Sequence, residues 1–351
     1  MPNRKKKAVS ISEIGEFGLI EHLARKVKLR NASSLKGIGD DAAVVSYGGK
    51  TIVLTTDLLI EGIHFNLVYA PLKHLGYKAA VVNLSDIYAM NAIPKQITVS
   101  IAISGKFSLN AVELFYEGIN LACDRYNVDL IGGDTSSSIT GLMVSITALG
   151  EAEKDQIVYR SNARKDDLIC VSGDLGAAYM GLQLLEREKK IFEEDPGIQP
   201  DLSGNEYILG RQLKPEARED IITWFREKKV KPTAMIDISD GLSSDLLHLC
   251  SASGVGCRIY QEKIPVDRAT AAMAEEFRMD PLVPALNGGE DYELLFTVSL
   301  SHHEILTGNP QIHVIGHITD AGDGRNLITR EGNAVELVAQ GWNPLREEES
   351  V

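Results

Sequence analysis

A series of short stretches in this chain sets carboxylates beside glycine, serine or threonine: GDD (Asp40, Asp41), TTD (Asp57), NLSD (Asp86), GGDT (Asp134), DISD (Asp237, Asp240) and GGED (Glu290, Asp291). Taken singly, an aspartate next to Gly or Ser is by local propensity a turn former or a helix N-cap. Asp86 is harder to place in that way, because it falls within an apolar helical segment where a charge needs a partner. If these groups converge, like charges about 4 Å apart repel by roughly 4 kcal/mol at an effective dielectric near 20. A converged cluster therefore demands cations, and an all-oxygen donor set favours magnesium over zinc or iron. Magnesium held by a few carboxylates commonly bridges to phosphate, so the expected chemistry is phosphoryl transfer.

The usual phosphate-binding loops are not the vehicle. GGKT at 48–51 lacks the upstream glycine of GxxxxGK[ST], with Val44 in its place, and is followed by a strand pattern; it reads as a hairpin turn. GIGDDA at 37–42 fits GxGxxA, but no strand is expected before it and VV follows where a helix should open.

The elements that must position these carboxylates alternate along the chain. TIVLTT (51–56) reads as a strand ending at Asp57, a helix is expected over about 73–91 with Pro94 stopping it, and QITVSIAIS (96–104) as the next strand. Then come a helix at 109–126, a strand at 128–133 and a strand at 141–150. The polar segment 151–167 reads as a link, after which LICVSG, a helix over about 175–187, a polar interruption at 193–205, the helix PEAREDIITWFREKK, and strands at 257–260, 293–298 and 312–318 follow. This pattern implies an α/β (α+β) chain of two domains with mixed sheets covered by helices. The expected division is a disordered basic tail at 1–14, a first domain at 15–152 and a second at 153–345. The stretch IDISDGLSSDLLHL (236–249) combines two roles: Asp237 and Asp240 end a strand, while the serines and Asp245 can start a helix.

Composition narrows the class further. At 351 residues the chain suits two domains, and its 44% hydrophobic and 24% charged residues are those of a folded globular protein. A formal charge of −13 disfavours nucleic acid or an anionic membrane as partner. RKKK at 4–7 is not followed by an apolar signal region, and no apolar stretch approaches the roughly 20 residues of a membrane span. A cytoplasmic location is expected. Cys123, Cys170, Cys250 and Cys257 show no CxxC spacing and read as buried free thiols.

The blocks GIGDDAAVV, TTDLLIEGIHF, GYKAAVVNLSDIYAMNAIP, GGDTSS, YRSNARKDD, VSGDLGAA, IDISDGL and LNGGEDYELLFT occur in that order. Together they resemble thiamine-monophosphate kinase, from about residue 15 to the terminal GWNP. That family belongs to an ATP-using superfamily with aminoimidazole ribonucleotide synthetase and selenophosphate synthetase. The resemblance implies two such domains, a homodimer built on the first sheet, magnesium as cofactor, ATP as co-substrate and thiamine monophosphate as acceptor. By motif, it implies magnesium ligands at Asp41, Thr55, Thr56, Asp57, Asp86, Asp134, Asp237 and Asp240. Of these, Asp57, Asp86, Asp134 and Asp240 are implied to be central to catalysis, with Asp57 and Asp86 bridging more than one ion. Tyr116, Gly133, Asp134, Arg160 and Ser239 match ATP-contacting positions, and His64, Glu290 and Trp342 match positions facing thiamine phosphate. On the residues alone, His64 and Trp342 are equally readable as packing residues, and Asp40 as a residue that holds the turn.

The resemblance implies direct transfer of the ATP γ-phosphoryl to the substrate phosphate, giving thiamine diphosphate. Other readings are another synthetase of the superfamily and a non-catalytic nucleotide or metal sensor. A selenophosphate synthetase would carry a cysteine near a glycine-rich N-terminus, whereas the first here is Cys123; a hydrogenase-maturation relative would end in cysteine, whereas this chain ends REEESV.

Overall fold

The structure, a computed structural model, describes residues 18–21, 24, 25, 27 and 29–340. Trp342 and the basic stretch at 4–7 lie outside the described residues.

The first half builds a six-stranded sheet from β1 (Ser34–Lys36), β2 (Ala43–Tyr47), β3 (Lys50–Ile60), β4 (Ile93–Ile103), β5 (Asp129–Ser137) and β6 (Met143–Ala152), in the order β1-β2-β3-β6-β4-β5. Only β4 and β5 pair in parallel; the other neighbours are antiparallel. Helices Leu72–Ala89 and Leu109–Tyr126 cover one face. They approach so closely that a Cβ on Gly76 would stand 2.0 Å from the Phe115 carbonyl oxygen, and one on Gly118 1.9 Å from that of Lys73. From Leu75 to Ala89 every residue of the first helix is buried except Asp86, the position at which the cleft reaches it.

The second half forms a seven-stranded sheet in the order β13-β12-β9-β11-β7-β10-β8. Its strands are β7 (Leu168–Ser172), β8 (Ala234–Asp237), β9 (Gly256–Tyr260), β10 (Leu294–Val298), β11 (Ile312–Thr319), β12 (Arg325–Ile328) and β13 (Ala334–Glu336). Central strands such as β7 and β10 are buried along their whole length, which explains their continuous apolar reading. One hydrophobic core runs from the first sheet through helix Leu72–Ala89 to Met235, Leu294 and Phe296 of the second.

The sequence expectations need several corrections. β3 runs past Asp57 to Ile60, and β5 runs past Gly133 to Ser137, so Asp57 and Asp134 lie within strands, not at their ends. The first helix ends at Ala89, and Pro94 belongs to β4, where the register shifts between Pro94 and Gln96. A three-residue strand, β1, does precede GIGDDA, but β2 and no helix follows, so the dinucleotide motif still fails. GGKT is indeed a hairpin turn, with Tyr47 opposite Lys50 and positive φ at Gly48 and Gly49. Helix Glu206–Leu213 was not foreseen, and the helix expected from Pro215 begins at Glu219. All four cysteines are buried and free.

Candidate active site

β2 pairs with β3 only as far as Ala43 opposite Leu54, so among the described residues the edge of β3 from Thr55 onward has no strand beside it. The chain arrives at β2 through Asp40 and Asp41, which sets Asp41 next to that open edge. On β3 the side chains of Thr55 and Asp57 share the inner face with Val53 and Leu59, and helix Leu72–Ala89 lies over them. The backbone N–H of Asp57 donates to Asn83 Oδ1 at 3.1 Å, replacing a missing strand partner, and Thr55 Oγ1 donates to Asp86 Oδ2 at 2.6 Å. From the other half of the chain, Asp237 at the end of β8 accepts from Ser85 Oγ at 2.6 Å.

The result is a carboxylate trio drawn from three distant segments. One oxygen each of Asp41, Asp86 and Asp237 lies within 4.8 Å of the others. Arg160 forks onto Asp41, Nε to Oδ2 at 3.1 Å and a terminal nitrogen to Oδ1 at 2.8 Å. One guanidinium does not balance three carboxylates. Burial, then the charges of Asp57, Asp237 and Asp41, push Asp86 well above the usual carboxylate range, and burial, then Asp41, pushes Asp237 up to about 7. Asp40 serves the frame: it accepts from the Arg160 backbone N–H at 3.1 Å and pairs with Lys36 at 3.4 Å. Burial and Asp41 raise its pKa as well.

Asp86 and Asp237 of the trio line a cleft of about 1250 Å³ between the two halves, bordered also by Asp57, His64, Ser239, Asp240 and Glu290. Asp240 sits on a turn that Gly241 makes at φ +118°, where a Cβ would meet the Leu286 carbonyl oxygen at 2.9 Å. Asp245 Oδ2 accepts from the N–H groups of Asp240 and Gly241, both at 3.2 Å, and so caps helix Leu242–Ser253. His64 Nδ1 accepts from the Ile60 N–H at 3.0 Å, which places its ring proton on Nε2, and burial lowers its pKa. Glu290 and Tyr292 both adopt left-handed backbone (φ 57° and 51°) on a turn tied to Ser239 and Ile238 by their N–H groups.

Other positions from the sequence lie apart from the trio. Thr56 borders the cleft through its strand, but its hydroxyl donates to Ile146 O at 3.1 Å and accepts from Thr147 on the outer face of the sheet. Asp134 is opposite Ser100 in the β4–β5 register, and Ser100 is opposite Ser145, which faces outward with Leu58. Within one chain, Asp134 thus looks out from the face opposite Asp57. Gly133 has a packing reason of its own, since a Cβ there would stand 1.8 Å from the Val99 carbonyl oxygen. Tyr116 is half-buried on helix Leu109–Tyr126 against Phe115. Residues that motif reading passed over include Ser85 and Asn83, both buried beside Asp86, and Lys78, a buried cation in the apolar run GYKAAVV. That misplaced charge was the signal available for Lys78.

The chain matches the family model described as AIR synthase related protein, N-terminal domain, over residues 39–152, and the corresponding C-terminal domain over 172–327. It is 36% identical to thiamine-monophosphate kinase of Aquifex aeolicus (strain VF5), over 95% of this chain and 98% of that one. The Bacillus subtilis (strain 168) thiamine-monophosphate kinase is 33% identical over 93% and 98%. The chain belongs to the thiamine-monophosphate kinase family. It is accordingly an enzyme, a kinase, with the two AIR synthase-type domains of that family. Among solved structures, AaThiL complexed with AMPPCP and TMP superposes with a TM-score of 0.80 at 34% identity, covering 96% of this chain and 99% of that one. A hydrogenase maturation protein HypE in complex with ATP, at 16% identity and TM-score 0.69 over 93% and 96%, shares the fold.

Proposed function

We propose that this chain transfers the γ-phosphoryl of ATP directly to the phosphate of thiamine monophosphate, making thiamine diphosphate in the last step of its biosynthesis. The observation that carries the reading is the carboxylate trio beside a cleft, on a chain similar throughout to thiamine-monophosphate kinases. Likeness to a structure complexed with AMPPCP and TMP supports the two substrates.

The residues fit magnesium: the donors are oxygens, they are held by Thr55, Ser85 and Arg160, and they carry more negative charge than their surroundings neutralise. Asp41, Asp86 and Asp237 would hold the metal, with Asp57 and Asp240 as further carboxylates along the cleft. Bound magnesium supplies charge neutralisation and alignment for the phosphates. The protein's own part is positioning. Arg160 locks Asp41, and Asn83 and Ser85 on one helix fix Asp57 and Asp237 on two different sheets. The substrate phosphate is ionised at neutral pH, so transfer in line needs no side chain as general base.

A homodimer belongs to the same reading. The outer face of the first sheet exposes Leu54, Leu58 and Ile131, a surface suited to a second copy. Asp134 lies three strands from Asp57, roughly 14 Å away at the spacing of a sheet, and on the opposite face. A copy paired across that face would bring Thr56, Gly133 and Asp134 to a phosphate site. We place the enzyme in the cytoplasm; among the described residues no helix is long and apolar enough to cross a membrane.

Incubation with ATP, magnesium and thiamine monophosphate, followed by chromatography, should yield thiamine diphosphate in equal amount to ADP, and Asp57→Asn should lose the activity while keeping the fold. Bound ATP without product would favour a sensor. A phosphorylated protein trapped in a single turnover would refute direct transfer.

A further inference from the structure

Glu290 borders the cleft away from the trio, and both oxygens of its carboxylate are already engaged. Oε1 pairs with Lys78 Nζ at 2.9 Å, and Oε2 accepts from Gln212 Nε2 at 2.9 Å. Lys78 also donates to the Gln212 carbonyl oxygen at 3.1 Å. Lys78 and Gln212 are each 5% exposed and come from opposite halves of the chain, Lys78 on helix Leu72–Ala89 and Gln212 on helix Glu206–Leu213. Lys78, Val82 and Asp86 recur at intervals of four along one helix face that lines the cleft, so Lys78 sits about 12 Å along the axis from Asp86. Both residues line the cleft, at separate points along it.

This arrangement decides what Glu290 offers a ligand. With Lys78 beside it, the pair carries no net charge toward the cleft, so it is poorly suited to neutralise a cation. Each carboxylate oxygen nevertheless keeps a lone pair, now in a fixed direction. The turn holding Glu290 is itself pinned, with its N–H bonded to Ser239 O at 2.8 Å. Gln212 Oε1 is buried and without a hydrogen-bond partner among the described residues, a second acceptor at the same place. His64, on the same cleft, carries its proton on Nε2. Two acceptors fixed at one place complement the two hydrogens of an amino group, such as that of an aminopyrimidine.

We propose that Lys78 and Gln212 are positioning residues that fix Glu290 as a hydrogen-bond acceptor for the amino group of the substrate's pyrimidine, so that Glu290 selects that ring and is not the counter-ion of the thiazolium. The inference rests on thiamine monophosphate being the substrate.

The test compares thiamine monophosphate with oxythiamine monophosphate, in which the pyrimidine amino group is replaced by oxygen. Calorimetry is carried out on the full chain with magnesium and a non-hydrolysable ATP analogue. The native chain should prefer the amino compound by about 10- to 100-fold, the range for a hydrogen bond to a charged group. Lys78→Met should weaken thiamine monophosphate to the level of the oxo compound, leaving the nucleotide affinity within about threefold. Equal binding of the two compounds by the native chain, or a full preference retained in Lys78→Met, overturns the proposal. A merely structural role would weaken both compounds alike and keep their ratio. If Lys78→Met does not fold, Gln212→Leu decides by the same ratio: a reduced preference supports the proposal and an unchanged one overturns it. Turnover of the native chain is measured separately. Its absence would refute the kinase reading, while the binding ratio still decides the role of Lys78.

Discussion

The substitution Asp237→Asn separates the cost of assembling the carboxylate trio from its use. In the folded protein Asp237 is held near pKa about 7, against an ordinary value of 3.8, chiefly by burial and the charge of Asp41. The folded protein therefore binds this proton more tightly than the unfolded chain does. Its contribution to stability is complete below about pH 4 and is lost as pH rises toward 7. A shift of about three units corresponds to roughly 4 kcal/mol at pH 8. Asparagine cannot ionise, yet its amide oxygen can still accept from Ser85 Oγ, which now donates to Oδ2. In chelator at pH 8, Asp237→Asn should thus melt higher than the native chain, by up to roughly 8 °C at about 2 °C per kcal/mol for a protein of this size. At pH 5.5 the advantage should fall to about half. Magnesium should reverse the order, raising the melting temperature of the native chain and leaving the variant almost unmoved. Scanning calorimetry at the two pH values, with and without magnesium, gives all four numbers. A variant that melts lower than the native chain in chelator at pH 8, or an advantage independent of pH, would show that ionised Asp237 does not destabilise the fold.

Two further substitutions examine the frame around the trio. Arg160→Met leaves the buried Asp41 carboxylate without its bidentate partner and should cost about 3–5 kcal/mol in denaturant unfolding, part of it restored by magnesium; an effect below about 1 kcal/mol would contradict the pairing. Gly118→Ala forces a Cβ against the Lys73 carbonyl oxygen, so the two helices must separate, with a loss of at least about 3 kcal/mol or of soluble protein; native-like unfolding would contradict the packing.

Much of the fold was legible where local pattern and tertiary setting agree. Helix Leu109–Tyr126 is amphipathic, N-capped by Ser108 and stopped by Asn127 at φ 53°, and its expected bounds coincide with the observed ones. The ends of β3 and β5 were misjudged because TTD and GGDT look like turn sequences. Pairing with β6 carries β3 past Asp57 to Ile60, and pairing with β4 carries β5 past Asp134 to Ser137. Helix Glu206–Leu213 is only eight residues long and follows a polar run, so its signal is weak. At the site, Asp86 is legible as a charge inside an apolar helix, and Lys78 carries the same signal. Convergence of Asp41, Asp86 and Asp237 was not derivable from any one segment, since it depends on Ser85 reaching across from one sheet to the other. The outward face of Asp134 is a matter of register, which a single strand does not reveal.

The central claim is that this trio holds the cation that aligns the phosphates. It is tested most directly by diffraction from crystals grown with manganese and a non-hydrolysable ATP analogue, with data collected for the anomalous signal of the metal. A manganese peak is expected about 2.1 Å from carboxylate oxygens of Asp41, Asp86 and Asp237, in contact with the nucleotide phosphates. Phosphates bound elsewhere in the cleft, with no metal at those three residues, would contradict it.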